Sequence, residues 1–382
     1  MQLYSPDPGN SLPHIEPLDG RVLFAHHAVA AYHAGAYQDG VCANFNGFAA
    51  NGSAVASSGE IVSGNARTLW KTLQSLETPY LRVFHTIRDF SGSGNDMSPG
   101  EVSQLKFLST HGIKVTLCFT PKEVPNDPGN SIHFDDITYN NTSKYFLGLF
   151  NKYDSPGADL SKYVDRWELG NEVNLGQYFP QPNGSTSRAT ESVFISKVVP
   201  KYVADFERPA WDVLKAKGQT VVGGSAFATN YGGKAFTDLA TTPVTYTNRA
   251  GRKVRAYYGT FCDIANIHPY EPTAAGEIRD LKNAMTALKS VTPGGKPLTV
   301  TEWAIFDNNR PSDSDATIVA EQNQVQDFMR HNIDSAYFYR IRYRSDKHGN
   351  WGLFAADFST PRGPAGDDYV QMFLRWRKND RV

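Results

Sequence analysis

The 382-residue chain carries 38 Lys and Arg against 39 Asp and Glu, a formal net charge of −1, which leaves no electrostatic case for nucleic acid or an anionic membrane as partner. Hydrophobic residues make up 40% and aromatics 12%, enough for a real core, and the length suits one α/β barrel with long loops or two ordinary domains. No apolar run approaches the roughly 20 residues of a membrane span, and the N-terminus lacks the basic and apolar regions of a secretory signal.

RVLFAHH (21–27) and GVCANFN (40–46) both read as strands. The second is the better first strand, because it leaves a shorter connection to the amphipathic helix ARTLWKTLQSLE (66–77). PYLRVFH follows as a strand. Ser98-Pro99-Gly100-Glu101 combines a capping box with proline at the first helical position, so a helix starts there and ends near His111-Gly112. IKVTLCF is the third strand, 142–152 a helix, and DRWELGNEVN a strand running into a loop. The segment 191–217 is helical in pattern, with bends expected at Pro200 or Pro209 and Gly218 as C-terminal cap. QTVVGGSA is a strand, VTYTNRAGRKVRAYY a hairpin around Ala250-Gly251, and DIANIHPY another strand. EIRDLKNAMTALKSV is a helix, PLTVTEWAIF a strand, TIVAEQNQVQDFMRHN a helix, DSAYFYRIR the last strand and DDYVQMFLRWRK the closing helix.

Eight strands alternating with helices predict a closed (β/α)8 barrel rather than an open sheet. No GxGxxG follows an early strand, and no phosphate-binding GxxxxGK[ST] occurs. The expected organisation is one catalytic barrel over 40–382, with long loops and no appended β-sandwich, and an N-terminal extension over 1–39 that packs on it.

In such barrels the site forms at the C-terminal strand ends. The second strand ends in Arg82, Phe84 and His85, with Arg88 just beyond. The fourth ends in Asn171-Glu172-Val173-Asn174, the sixth in His268-Pro269-Tyr270, the seventh in Thr301-Glu302-Trp303, and the eighth in Tyr337, Tyr339 and Arg340. Strands four and seven face each other across a barrel, so Glu172 and Glu302 can approach one bound bond from two sides. Two carboxylates flanking a glycosidic bond are what acid-plus-nucleophile chemistry requires. One of them must stay protonated near neutral pH, and the charge of its partner raises its pKa to do so.

WELGNE ending one strand, with TEW three strands later and HPY between, resembles the clan of retaining barrel glycosidases that carry the acid/base on strand four and the nucleophile on strand seven. The flavour is nearest to glycoside hydrolase family 39, and families 5, 51 and 79 share most of these marks. The resemblance runs over roughly residues 40–376, and the familiar Asn-Glu-Pro stands here as Asn171-Glu172-Val173. It implies Glu172 as acid/base, Glu302 as nucleophile, Asn171 on the sugar 2-hydroxyl, Arg82 beneath the nucleophile, and His268 and Tyr270 lining the site. WGLFAADFSTPRGPAGDDYVQMF is similar to the clan's tail into the last helix.

His85, Trp303, Tyr339 and Trp351 complete the expected substrate-binding set. Strict alternation turns Trp303 toward the helix layer, though strand ends often bulge. Trp351 lies in the last long loop. Glu168, on the same strand face as Glu172, reads as the partner of a cation inside the barrel. His26, His27 and His33 match no ligand spacing, so neither metal nor cofactor is expected. NDPGNSIHFDDITYNN reads as a rim loop rather than a calcium site. Cys42, Cys118 and Cys262 form no disulfide framework, and Cys118 lies in an apolar run as a buried thiol.

The expected activity is hydrolysis of a β-type glycosidic bond in an oligo- or polysaccharide with net retention. A sugar-binding barrel without turnover, or a transglycosylase at the same site, is the alternative. A polysaccharide hydrolase favours a secreted or periplasmic location, which nothing in the sequence fixes.

Overall fold

The computed structural model describes residues 37–42, 63–90, 97–121, 132–155, 158–227, 234–248, 250–292, 294–305, 315–339, 353 and 363–379. They belong to one compact unit, Ala36–Val382. His26, His27, His33, Arg340, Trp351 and the first part of the acidic rim loop, 126–131, lie outside the described residues.

Eight parallel strands form one sheet: β1 Gln38–Cys42, β2 Tyr80–Ile87, β3 Lys114–Pro121, β4 Arg166–Leu169, β5 Val221–Gly223, β6 Ala265–Asn266, β7 Leu298–Trp303 and β8 Ser335–Phe338. The order is β6-β7-β8-β1-β2-β3-β4-β5. Parallel bridges from Val222 to Ile264 and from Phe227 to His268 join β5 to β6 and close the barrel. The candidate first strand near 40–46 overlaps β1, which begins at Gln38, and the other candidate, 21–27, lies outside the described residues.

Each connection passes through a helix: α1 Ser63–Ser75, α2 Pro99–Thr110, α3 Tyr139–Tyr153, α4 over 191–216, α5 Ala235–Thr241, α6 Ala274–Val291 and α7 Asp315–Asn332, with α8 Gly363–Asn379 after β8. Local chemistry sets their starts. Ser98 Oγ accepts from Glu101 N at 3.2 Å while Glu101 Oε2 accepts from Ser98 N at 2.7 Å, the expected capping box. Two helices begin three residues earlier than the apolar periodicity alone indicates. Thr138 caps α3 and Thr273 caps α6, each satisfying an N–H that would otherwise lack a partner.

Proline bends are expected in α4, yet it runs through Pro200 and Pro209. A π-helical turn precedes each of them, at Phe194–Val198 and Tyr202–Glu207. Proline cannot donate to a carbonyl one turn back and its ring crowds that carbonyl; widening the turn relieves both.

The outer faces of the strands bury Leu81, Val83, Val115, Leu117, Trp167 and Leu169 against the helices. Trp167 stacks on Phe119 with ring centroids 5.3 Å apart. The inner face is more polar. Toward the bottom, Thr116 Oγ1 and Tyr337 OH lie 2.8 Å apart and Arg166 Nη1 donates to Asp334 at 2.6 Å. A polar interior tolerates burial only when its groups are paired, and these are.

Candidate active site

Arg82, fully buried on the inner face of β2, organises the barrel mouth. Its Nε and Nη2 donate to the two carboxylate oxygens of Glu168, both at 2.6 Å, and Nη2 also reaches Asn171 Oδ1 at 2.8 Å. Nη1 donates to Glu302 Oε1. The guanidinium lies over the Phe84 ring, 4.3 Å from its centroid. Glu168 is therefore the interior ion-pair partner its strand face suggests.

Two backbone distortions aim the glutamates. After β4, Gly170 sits at φ +105°, where a Cβ would come within 3.0 Å of Val173 Cγ1. Glu172 follows at φ +41°, a left-handed conformation that costs free energy for a residue with a side chain. Ser225 at the end of β5 holds it there, its Oγ accepting from Glu172 N at 2.9 Å. In β7, the pairing with β8 shifts by one residue between Val300 and Trp303. That bulge lets consecutive residues, Thr301 and Glu302, both bond inside the barrel.

Tyr270 OH donates to Glu302 Oε2 at 2.8 Å. Burial lifts the Glu302 carboxyl, while the Arg82 charge and the Tyr270 hydroxyl pull it back. Glu172 has no such cation bonded to it. Burial and then the charge of Glu302 push its carboxyl well above the usual range. Its Oε1 lies 3.1 Å from His268 Nδ1, and burial with Arg82 nearby keeps His268 below its ordinary pKa. The buried pair thus has one carboxyl suited to carry a proton and one suited to carry charge.

A carboxylate oxygen of Glu172, one of Glu302 and a ring nitrogen of His268 all lie within 4.8 Å of one another, the one such grouping among the described residues. Arg82 is already bonded to Glu302, and its fixed positive charge opposes a divalent cation there. The donor set fits proton transfer better than metal binding.

The structure brings Arg82, Asn171, Glu172, His268, Tyr270 and Glu302 together. Tyr339 joins them: its ring is 6.2 Å from that of Tyr270, and its backbone N–H donates to Trp303 O at 3.0 Å. His85 is placed elsewhere. Strand alternation turns it outward, where Nδ1 meets Glu101 at 3.0 Å and Nε2 meets Tyr145 OH at 3.0 Å. Trp303 also faces outward, stacked on Trp376 of α8 at 5.5 Å. It packs the helix layer, because the bulge consumes one residue and restores the alternation after Glu302.

Other residues at the site are not singled out as site residues by the sequence, although Thr301 stands in the strand-end motif beside Glu302. Ser225, Thr301 and Asn266 make its hydrogen bonds. Tyr178, half-buried in the loop after β4, has its hydroxyl pKa pushed up by burial and by the charges of Glu172 and Glu302. Phe227, whose N–H donates to Asn174 Oδ1 at 2.9 Å, packs against Tyr270 at 5.5 Å. A lone Ser or Tyr outside a motif gives no warning of this. Among the cysteines, Cys42 Sγ lies 3.7 Å from Arg82 Nη1, and burial raises the Cys42, Cys118 and Cys262 thiols, leaving them un-ionised. No helix among the described residues is long and apolar enough to cross a membrane.

No protein-family model matches the chain, and no curated protein matches it. Solved structures do. A family 39 glycoside hydrolase from the gut symbiont Bacteroides cellulosilyticus WH2 is 15% identical over 88% of this chain with a TM-score of 0.54, and the chain spans 63% of its length. A GH5_18 from Bifidobacterium longum subsp. infantis is 11% identical over 89% of this chain and 79% of its own, with a TM-score of 0.57. GH5_18 from Streptomyces cattleya in complex with GlcNAc is 13% identical over 90% of this chain and 80% of its own, with a TM-score of 0.54. At these identities the likeness is one of fold, and it agrees with the closed (β/α)8 barrel.

Proposed function

We propose that the chain is a retaining glycoside hydrolase that cleaves a β-type bond in an oligo- or polysaccharide. The observation that carries this reading is the close approach of Glu172 and Glu302, with oxygens within 4.8 Å. An approach this close is compatible with the roughly 5–5.5 Å carboxyl separation of retaining enzymes. The asymmetry of the pair supports the division of roles. Glu302, bonded to Arg82 and Tyr270, attacks the anomeric carbon as the carboxylate. Glu172 gives its proton to the leaving oxygen and then takes one from water in the second step. Asn171, held through Oδ1 by Arg82, offers its amide N–H to a sugar hydroxyl. Tyr270 and Tyr339 supply ring faces beside it. No step calls for a cofactor.

The family 39 and GH5_18 structures support the reading as relatives in fold that act on sugars. The test is a panel of aryl β-glycosides and oligosaccharides followed by proton NMR of the first product. A β-anomer formed first is expected. An α-anomer formed first would mean inversion, binding without turnover would leave a sugar-binding barrel, and transfer to an added sugar in preference to water would mean a transglycosylase.

A further inference from the structure

Behind Glu172 a hydrogen-bond chain runs from His268, which touches the glutamate, away into the barrel. His268 Nε2 is 2.9 Å from Thr301 Oγ1. Thr301 Oγ1 is 3.1 Å from Glu168 Oε1 and accepts from Asn266 Nδ2 at 2.8 Å. Asn266 Nδ2 also donates to Glu168 Oε1 at 3.0 Å. All four residues are buried, so each hydrogen must have a place.

The donors and acceptors can be counted. Thr301 has one hydroxyl hydrogen and two lone pairs. The Glu168 carboxylate is the strongest acceptor in its reach, so the hydrogen points there. The Thr301 oxygen then accepts from Asn266 and from His268 Nε2. A neutral imidazole has one N–H, and this places it on Nε2. His268 Nδ1 is left bare and facing Glu172 Oε1 at 3.1 Å, with the Ser225 hydroxyl farther off at 3.5 Å. The hydrogen in the closer contact must come from Glu172.

We propose that Thr301 and Glu168 are positioning residues that lock His268 as the Nε2–H tautomer, so that His268 accepts from Glu172 and holds it as the carboxylic acid. This rests on the proposed acid/base role of Glu172. In the first step the proton passes from Glu172 to the leaving oxygen. The bare Nδ1 then opposes the glutamate's negative charge, and Glu172 regains a proton from the attacking water. The other groups around Glu172 and His268 are Glu302 on β7, Arg82 on β2, Tyr270 after β6 and Tyr178 after β4. None of them offers His268 Nε2 a hydrogen-bond acceptor in place of Thr301 Oγ1.

Two measurements test the tautomer lock. In the intact protein with ¹⁵N-labelled histidine, NMR at pH 6–7 reads which His268 nitrogen carries hydrogen, without any turnover. Nε2–H is expected, and Nδ1–H would overturn the proposal. In the Thr301→Val variant the Nε2–H loses its acceptor and the ring is free to donate from Nδ1 to ionised Glu172. The basic limb of kcat/KM should then fall by about one pH unit, with a larger loss of kcat on poor leaving groups than on activated aryl glycosides, and Thr301→Ser should restore both. A folded Thr301→Val with an unmoved basic limb would also overturn it. A wild-type protein with no glycosidase activity would sink the proposed function alone, and the tautomer measurement would still decide the relay.

Discussion

Arg82 grips Glu168 at two points, 2.6 Å from Nε and 2.6 Å from Nη2, and this fork fixes the direction in which its remaining nitrogen reaches Glu302. Rigid, planar recognition of this kind is what arginine offers and lysine does not. Arg82→Met should leave Glu168 and Glu302 buried without a cation. A loss of about 3–5 kcal/mol is expected for breaking such a pair, read from urea unfolding. Arg82→Lys should recover only part of it. Unchanged stability in Arg82→Met would mean the pair contributes nothing.

The two glutamates should respond differently to removal. Glu302→Gln should keep the fold and lower kcat by about 10⁴-fold or more, since an amide cannot attack. Glu172→Ala should cost about 10²–10⁴-fold on substrates with poor leaving groups and much less on activated aryl glycosides. Azide should rescue Glu172→Ala and yield a glycosyl azide of retained configuration. Rescue at position 302 with an inverted product would exchange the roles.

Tyr270→Phe deletes the 2.8 Å bond that lowers the Glu302 pKa. The nucleophile must be ionised, so a higher pKa moves the acidic limb of kcat/KM upward and activity is lost first at low pH. A hydrogen bond to a charged group contributes about 1.5–3 kcal/mol, so roughly a ten- to hundredfold loss is expected at the optimum. A pH–rate profile checks both effects.

Glu207 is fully buried in α4; its Oε1 accepts from Tyr202 OH at 3.2 Å and its Oε2 has no partner among the described residues. Burial holds its carboxyl well above the usual range. Folding therefore favours the protonated form, the folded state holds more protons than the unfolded one, and stability falls as pH rises above the ordinary glutamate value of 4.5. Glu207→Gln should flatten that slope. The variant should melt higher relative to wild type at pH 8 than at pH 5 by differential scanning fluorimetry, and an unchanged difference would sink the idea.

Trp303 stacks on Trp376 rather than on a ligand. Trp303→Phe should lower Tm through lost packing, while KM stays within about twofold. A large rise in KM with little change in Tm would return Trp303 to the binding site.

Sequence alone was enough for the architecture. Alternating apolar runs and amphipathic segments mark eight βα units, because a parallel strand buried on both faces and a helix buried on one leave different periods in the chain. It also marked Arg82, Asn171, Glu172, His268, Tyr270 and Glu302, since each stands at the C-terminal end of a strand in a recognisable local pattern. What it could not settle was facing. His85 and Trp303 occupy the same kind of position, yet they bond in the helix layer. Alternation from Arg82 turns His85 outward and alternation from Glu302 turns Trp303 outward as well, whereas the one-residue bulge that keeps both Thr301 and Glu302 inside is seen only in the pairing of β7 with β8. The Thr301–His268–Glu172 chain is likewise invisible in the sequence. Its members lie on or just after three different strands, and the hydrogen each carries is decided by which acceptors barrel closure brings within reach.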